Sequence, residues 1–353
     1  MLIFESQRQA RGQTRRLLVM FGVAIVLLVL AVNAALALAW GLTWSFWIPG
    51  GFSLPRYFVE VNTAVTVLYV FGGWWVETSR LSHGGGGTLA RLLGARPAQP
   101  SGIEAEQRLC NIVDEMAIAS GMHPPAIMVL ARKDAINAFA AGWDESDSVV
   151  VVTEGALEHL TRDELQGLVA HELSHIREGD TRLNMRLVGM VFGLELLYRL
   201  GQDLFEPDER DRRPAPALLG LALMAAGWLG WVAGHALQAA VARQREYLAD
   251  ARALQWTRSR DAIGGVLRKI AIQQDKTTQP RMGSMVQHML LVGTEAGALA
   301  AWFDPHPPLK ERIRRIYGRH MPPLPLGRPA EETAPPPPTP APRAEDAAAW
   351  TLQ

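Results

Sequence analysis

His171-Glu172-Leu173-Ser174-His175 stands near the middle of a chain of 353 residues. On a helix, positions four apart share a face, so both imidazoles can reach one metal ion while Glu172, one step round, meets the water that such an ion activates. That is the minimal equipment for hydrolysing a peptide bond. The pentad also arises by chance, so its surroundings must decide. Thr161-Arg162-Asp163-Glu164 has the pattern of a capping box and Gly179 that of a helix stop, which predicts a helix over about Arg162 to Glu178. Leu165, Leu168, Val169 and Ile176 would pack one side of it, with His171, Glu172 and His175 toward another.

Upstream of this helix, Ala126 to Leu130, Ala135 to Gly142 and Ser148 to Thr153 are short apolar or β-branched runs separated by polar turns. They predict a small antiparallel sheet leading into the motif helix. Ile103 to Ser120 has apolar residues at helical spacing (Leu109, Ile112, Val113, Met116) and Gly121 at its C-cap, which predicts a packing helix. Before it, His83 and Gly84 to Gly87 lack the Lys-Ser/Thr ending of a phosphate loop and predict a flexible connection.

Farther out the chain changes character. Apolar residues make up 48% of it and gather in long blocks. Leu17 to Ala39 run without one charge and end in Trp40, Trp44 and Trp47, the signature of a retained membrane anchor with an interfacial aromatic belt. After Pro49-Gly50-Gly51 and Pro55, a second run from Val61 to Val76 starts near Tyr57 and closes in Trp74 and Trp75. Basic residues flank the outer ends of this hairpin, Arg8 to Arg16 before it and Arg80, Arg91 and Arg96 after, so both ends should face the cytoplasm. A third stretch, Leu187 to Leu204, is interrupted by Glu195 and Arg199, an acid and a base spaced for a local ion pair. A fourth runs from Ala215 to Val241, and His235 within it has no line of companions that would suggest a proton relay. The charged motif helix is therefore expected beside the membrane and not through it.

Four readings recede on composition and patterning. Net charge is zero and the basic residues form no stripe with interleaved aromatics, so nucleic acid is not an expected partner. One cysteine, Cys110, excludes an internal disulfide framework. Four apolar segments without an internal repeat offer little basis for transport. Met282 to Met289 lack companion His or Cys residues and read as packing, not as copper ligands.

A hydrolytic zinc takes three protein ligands and leaves a fourth position to water, so the two histidines require one more donor. Glu246 is the best candidate, on a helical stretch beyond a hairpin that would return the chain to the same membrane face. Asp250 shares its helical face and could orient a ligating histidine. A solvated helix face would explain the same spacing, and both readings stand at this point.

The motif helix, Glu246-Tyr247-Leu248-Ala249-Asp250 beyond a hydrophobic hairpin, and the turn Trp302-Phe303-Asp304-Pro305-His306-Pro307-Pro308 together resemble the membrane-bound M48 zinc metalloproteases. This group includes the HtpX-like heat-shock proteases and their CAAX-protease relatives. The resemblance covers about Gly84 to Tyr317 and includes Asn137-Ala138-Phe139, similar to the family's edge-strand signature. It implies that His171, His175 and Glu246 bind one Zn²⁺, that Glu172 is the general base, and that His306 and Arg312 help stabilise an oxyanion. It also implies that Asn137, Ala138 and Phe139 pair with an extended substrate backbone, although Phe139 could equally be a core aromatic.

The resulting expectation is an α+β, mainly α-helical, polytopic protein with about four transmembrane helices and a cytoplasmic zincin-type metalloprotease domain holding a small antiparallel sheet. Residues 1–80 would form the first membrane hairpin (about 17–39 and 57–76), and 81–186 the first part of the protease domain. Residues 187–241 would form the second hairpin, and 242–321 the second part of the protease domain. Residues 322–353, rich in Pro and Ala, would be a disordered tail. The implied function is a zinc endopeptidase of the bacterial inner membrane, cutting misfolded or membrane-associated polypeptides. An intramembrane site-2-like protease and a membrane scaffold or holdase with a non-catalytic metal site are the alternatives.

Overall fold

A computed structural model describes residues 2–47, 53–131, 134–205, 214–276 and 306–326. The charged link 206–213, the methionines between 282 and 289, the turn residues 302–305 and the tail 327–353 lie outside the described residues. The chain is mainly helical, with one four-stranded sheet. In order it forms α1 (Leu2–Trp47), α2 (Phe58–Leu92), β1 (Ala95–Pro97), α3 (Glu104–Ser120), β2 (Ala126–Leu130) and β3 (Ala138–Ala141). There follow β4 (Val149–Thr153), α4 (Glu154–His159), α5 (Arg162–Arg177), α6 (Asp180–Phe205), α7 (Pro214–Thr257), α8 (Arg260–Lys276) and α9 (Leu309–Tyr317).

α1, α2, α6 and α7 form a bundle in which α6 packs on both α2 and α7, and α1 packs on α7. Its interior is Phe21, Leu28, Val70, Leu187, Leu194, Leu197 and Leu223 with their apolar neighbours. Backbones approach closely across it. A Cβ on Gly193 would meet the Val70 carbonyl at 2.5 Å, and one on Gly227 would meet the Tyr198 amide nitrogen at 2.5 Å. Small residues at such crossings are how helices associate where lipid removes the hydrophobic drive between them. Val26, Leu30, Val65, Leu68, Trp75, Leu221 and Trp228 are exposed on the bundle's helices, large apolar side chains turned outward. Among the described residues, Val19–Thr43 and Ala217–Thr257 are long and apolar enough to cross a membrane. The other two of the four expected spans fall short by this measure, because Trp, Tyr and Gly dilute α2 and charged residues interrupt α6.

The expectation of an antiparallel sheet is corrected. Strand order is β1-β2-β4-β3, with β1–β2 and β3–β4 antiparallel but β2–β4 parallel. The β3–β4 hairpin inserts β4 between β2 and β3, so the connection from β2 to β3 is a crossover and not a turn. β4 is thereby the central strand, buried along its whole length. That is why Val149 to Val152 shows no polar alternation. β1 was not expected, and it ends in Pro97 at the sheet edge, where a missing N–H costs no ladder bond.

Gly84 to Gly87 are not a loose connection either. α2 continues through them with a kink at Gly85 (φ 61°, ψ 171°), a conformation open to glycine. The backbone of Gly86 lies against the Ala141 carbonyl, so close that a Cβ there would collide with it. A bundle helix thus touches the end of β3. The start of the supposed tail is also pinned, since Leu324 donates its amide to the Arg268 carbonyl (3.1 Å) and Arg268 Nε donates to the Pro322 carbonyl (2.7 Å).

α5 has the caps the sequence predicts. Glu164 N donates to Thr161 Oγ1 (3.3 Å), Thr161 N donates to Glu164 Oε2 (2.8 Å), and Gly179 follows with φ +72°. Leu165, Leu168 and Val169 are fully buried against Ile263, Val266 and Leu267 of α8 and against the sheet. Gly167 sets this spacing, because a Cβ there would meet the Ala262 carbonyl carbon at 2.5 Å. Gly167→Ala is therefore expected to destabilise the protease domain by about 1–3 kcal/mol through overpacking that helix backbone cannot relieve. A lowered melting temperature of the purified variant would show it, and an unchanged one would mean that α8 shifts freely.

Candidate metal centre

The helix places His171 and His175 one turn apart, with ring centroids separated by 4.9 Å. Their Nε2 atoms face each other at 3.2 Å. The α6–α7 hairpin returns the chain so that Glu246 joins them, its Oε2 at 3.7 Å from His171 Nε2 and its Oε1 at 3.4 Å from His175 Nε2. One ligand atom from each residue lies within 4.8 Å of the others. The long sequence gap between the histidines and Glu246 is closed by folding.

The remaining polar contacts say what this cluster can hold. His171 Nδ1 lies 3.1 Å from Asp250 Oδ1, and His175 Nδ1 lies 3.0 Å from Asp180 Oδ2. The hydrogen bond to Asp180 holds the His175 proton on Nδ1, and the Asp250 carboxylate beside His171 Nδ1 favours the same tautomer there, which directs the Nε2 lone pairs inward. Two imidazole lone pairs and a carboxylate then converge on one point. Glu246 Oε2 is buried, and the Arg312 guanidinium beside it supplies an ion pair without a well-aligned hydrogen bond. Burial works to discharge His175, yet Asp180 and Glu246 raise its pKa well above the ordinary imidazole value. A site that draws a proton so strongly is built for positive charge, and three such donors fit a metal ion.

Glu172 projects from the same helix and is 2% exposed. Burial pushes its carboxyl above the ordinary carboxylate pKa, against the lowering influence of His171 and His175. That is the environment in which a carboxylate becomes a better proton carrier than an exposed one.

α9 closes the site from the other side. Arg312 is completely buried and grips Asp250 twice, Nε to Oδ2 at 2.8 Å and Nη2 to Oδ1 at 2.7 Å. Its Nη1 lies 2.9 Å from Glu246 Oε2. His306 is buried just before α9 and near enough to Glu246 to favour its ionised form. Asp250 is therefore a partner of both a histidine and an arginine, and the solvated-face explanation fails for it and for Glu246, which are 5% and 7% exposed.

Asn137, Ala138 and Phe139 lie at and in β3, an edge strand packed beside α5. Asn137 exchanges bonds with Thr153, accepting from Thr153 N (3.1 Å) and donating its amide to Thr153 Oγ1 (3.0 Å). Antiparallel alternation then turns the N–H and C=O of Ala138 and Ala140 to the outer edge. Phe139 packs in a core with Leu81, Met128 and Val151, so its side chain supports the strand. Asp180 and Arg245 were not expected from sequence. Both are buried, and Arg245 Nη1 pairs with Asp180 Oδ1 at 2.6 Å. Their signal was present in position alone, Asp180 just past the motif helix and Arg245 beside Glu246.

The sequence profile of peptidase family M48 matches residues 104–320, which takes in every residue of this cluster. The chain belongs to peptidase family M48. Relatives each named "Protease HtpX homolog" occur in Dictyoglomus thermophilum, 37% identical over 213 residues (59% of this chain, 68% of the relative), and in Caldanaerobacter subterraneus subsp. tengcongensis, 35% identical over 235 residues (64% and 75%). The one from Acidiphilium cryptum is 32% identical over 282 residues, covering 73% of this chain and 93% of its own. Among solved structures, the crystal structure of S. mikatae Ste24p aligns with a TM-score of 0.43 and 17% identity, over 85% of this chain and 66% of that one. This M48 peptidase is a metalloprotease associated with the membrane, acting on peptide substrates.

Proposed function

We propose that this M48 peptidase is a multi-pass zinc endopeptidase whose site faces the cytoplasm and cuts misfolded or membrane-associated polypeptides. The observation that carries this reading is the convergence of His171 Nε2, His175 Nε2 and Glu246 within 4.8 Å, with both Nδ1 atoms held by carboxylates. Zinc in that position would supply Lewis-acid activation of water and of the scissile carbonyl.

The residues divide the remaining work. Glu172 takes the proton from the attacking water and passes it to the leaving amine, the part for which its buried carboxylate is suited. The outward C=O of Ala138 and the N–H and C=O of Ala140 hold an extended substrate as an added strand beside α5. Asn137 fixes the start of that strand, and its Oδ1 accepts the Ala138 amide (2.9 Å). His306 donates to the developing oxyanion, while Arg312 adds its charge from behind Glu246 and Asp250. Asp250 orients His171.

The close glycine crossings and apolar outer face of the bundle support membrane passage by α2 and α6 as well as by α1 and α7. Arg80, Arg91, Arg182, Arg186 and Arg243 fall at the bundle's junctions with the protease domain, the positive-inside pattern for a site in the cytoplasm of a bacterial cell membrane. Alkaline phosphatase fused after residue 276 should accordingly be inactive in cells, and an active fusion would place the site outside.

The central test is the metal content of the detergent-solubilised protein together with casein cleavage. One zinc per chain, cleavage lost to chelator and restored by Zn²⁺, and zinc lost in Glu246→Ala are the expected results. Wild-type protein without zinc, or Glu246→Ala that keeps it, would favour a scaffold or a different ligand set.

A further inference from the structure

We propose that Asp180 and Arg245 are positioning residues that make metal retention depend on the packing of α6 against α7. The inference rests on the metal-centre reading above and concerns a pair outside the expected ligand set. α5 ends at Arg177 and Asp180 opens α6, so only Glu178 and Gly179 separate the motif helix from a bundle helix. The Asp180 carboxylate, 3% exposed, lies between His175 Nδ1 (3.0 Å) and Arg245 Nη1 (2.6 Å). Arg245 comes from α7 and immediately precedes the ligand Glu246.

The arrangement repeats one on the other histidine. His171, Asp250 and Arg312 form an Arg–Asp–His chain through α7 and α9, and His175, Asp180 and Arg245 form a second through α6 and α7. In each, the carboxylate fixes the proton on Nδ1 and so aims the Nε2 lone pair, while the guanidinium keeps the buried carboxylate ionised and in place. The two chains differ in what anchors them. The first is tied to the soluble helix α9, whereas the second is held only by bundle helices. Sliding α6 relative to α7 by a fraction of a turn would pull Asp180 from Arg245 and release the His175 ring.

The test measures the zinc dissociation constant by chelator competition on the full-length protein in detergent, beside the melting temperature of the zinc-free protein. Asp180→Ala is expected to bind zinc about 10- to 100-fold more weakly, with Asp180→Asn, which keeps an acceptor, closer to wild type. Arg245→Ala should weaken binding as well, and Arg245→Lys should recover part of the loss. The absorption spectrum of the Co²⁺-substituted protein should change in Asp180→Ala, which a merely structural pair would leave alone. A zinc affinity for Asp180→Ala within twofold of wild type, with only the zinc-free melting temperature lowered, overturns the proposal. If Asp180→Ala is not recovered folded, Arg245→Ala decides by the same criterion, and failure of both to fold makes the pair a folding element and overturns it too. Wild-type protein that binds no zinc would instead sink the metal-centre reading itself.

Discussion

Glu172→Gln is expected to lower peptide-bond hydrolysis by about 10²- to 10⁴-fold while the protein keeps its metal. Glutamine has nearly the same shape, so packing around a side chain that is 2% exposed should survive. What disappears is the ability to accept a proton. The ligands His171, His175 and Glu246 are untouched, as are the carboxylates at both Nδ1 atoms, so zinc content should stay at the wild-type level. Steady-state cleavage of casein, with metal content measured on the same preparation, checks both halves. A variant that cleaves as fast as wild type would remove Glu172 from the chemistry, and one that loses its zinc would show a structural role instead.

Arg312→Ala is expected to be the most damaging single change to the centre's architecture, costing about 3–5 kcal/mol. The guanidinium is fully buried and faces two carboxylates, those of Asp250 and Glu246. Burial works to lower its pKa, but these two anions push it above the ordinary arginine value. Removing it leaves two buried negative charges without their counter-ion and opens a large cavity under α9. Thermal unfolding should show the loss, and added Zn²⁺ should restore part of it, because a cation bound at Glu246 takes over part of the compensation. Arg312→Lys would keep the charge but not the two-pronged grip on Asp250, and should fall between. If Arg312→Ala melts like wild type and loses only turnover, the residue acts on the reacting atoms and its ion pairs are incidental.

Local signals were legible wherever the chemistry is written in adjacent residues. The capping box at Thr161, the stop at Gly179 and the two histidines four apart depend on a single helical turn, and each stands where the sequence puts it. Glu246 was reachable because a hydrolytic metal needs a third donor and the intervening hairpin must return the chain. Asp180 and Arg245 escaped notice because their importance comes from a meeting of three helices, which no spacing rule encodes. The glycine run misled for a related reason. Four consecutive glycines read as slack when neighbours are unknown, whereas Gly86 is needed because the Ala141 backbone occupies the space a side chain would take. The sheet's parallel pair was hidden likewise, since neighbouring runs in sequence suggest hairpins and give no sign that the third strand enters between the other two.

β3 is short, and alternation turns only Ala138 and Ala140 of it outward between Asn137 and the Gly86 contact at Ala141. As an added-strand site, β3 would grasp a polypeptide by its main chain, since the Ala138 and Ala140 methyls belong to the core, and would pay little regard to which side chains pass. A substrate held that way would have to surrender several residues of its own folded structure before being cut, and the energy of that surrender would belong to the substrate. Turnover would follow how often a target frays rather than what its residues spell. Under this arrangement a well-folded neighbour in the same membrane would be spared by its own stability, and no recognition tag would be required to tell the two apart.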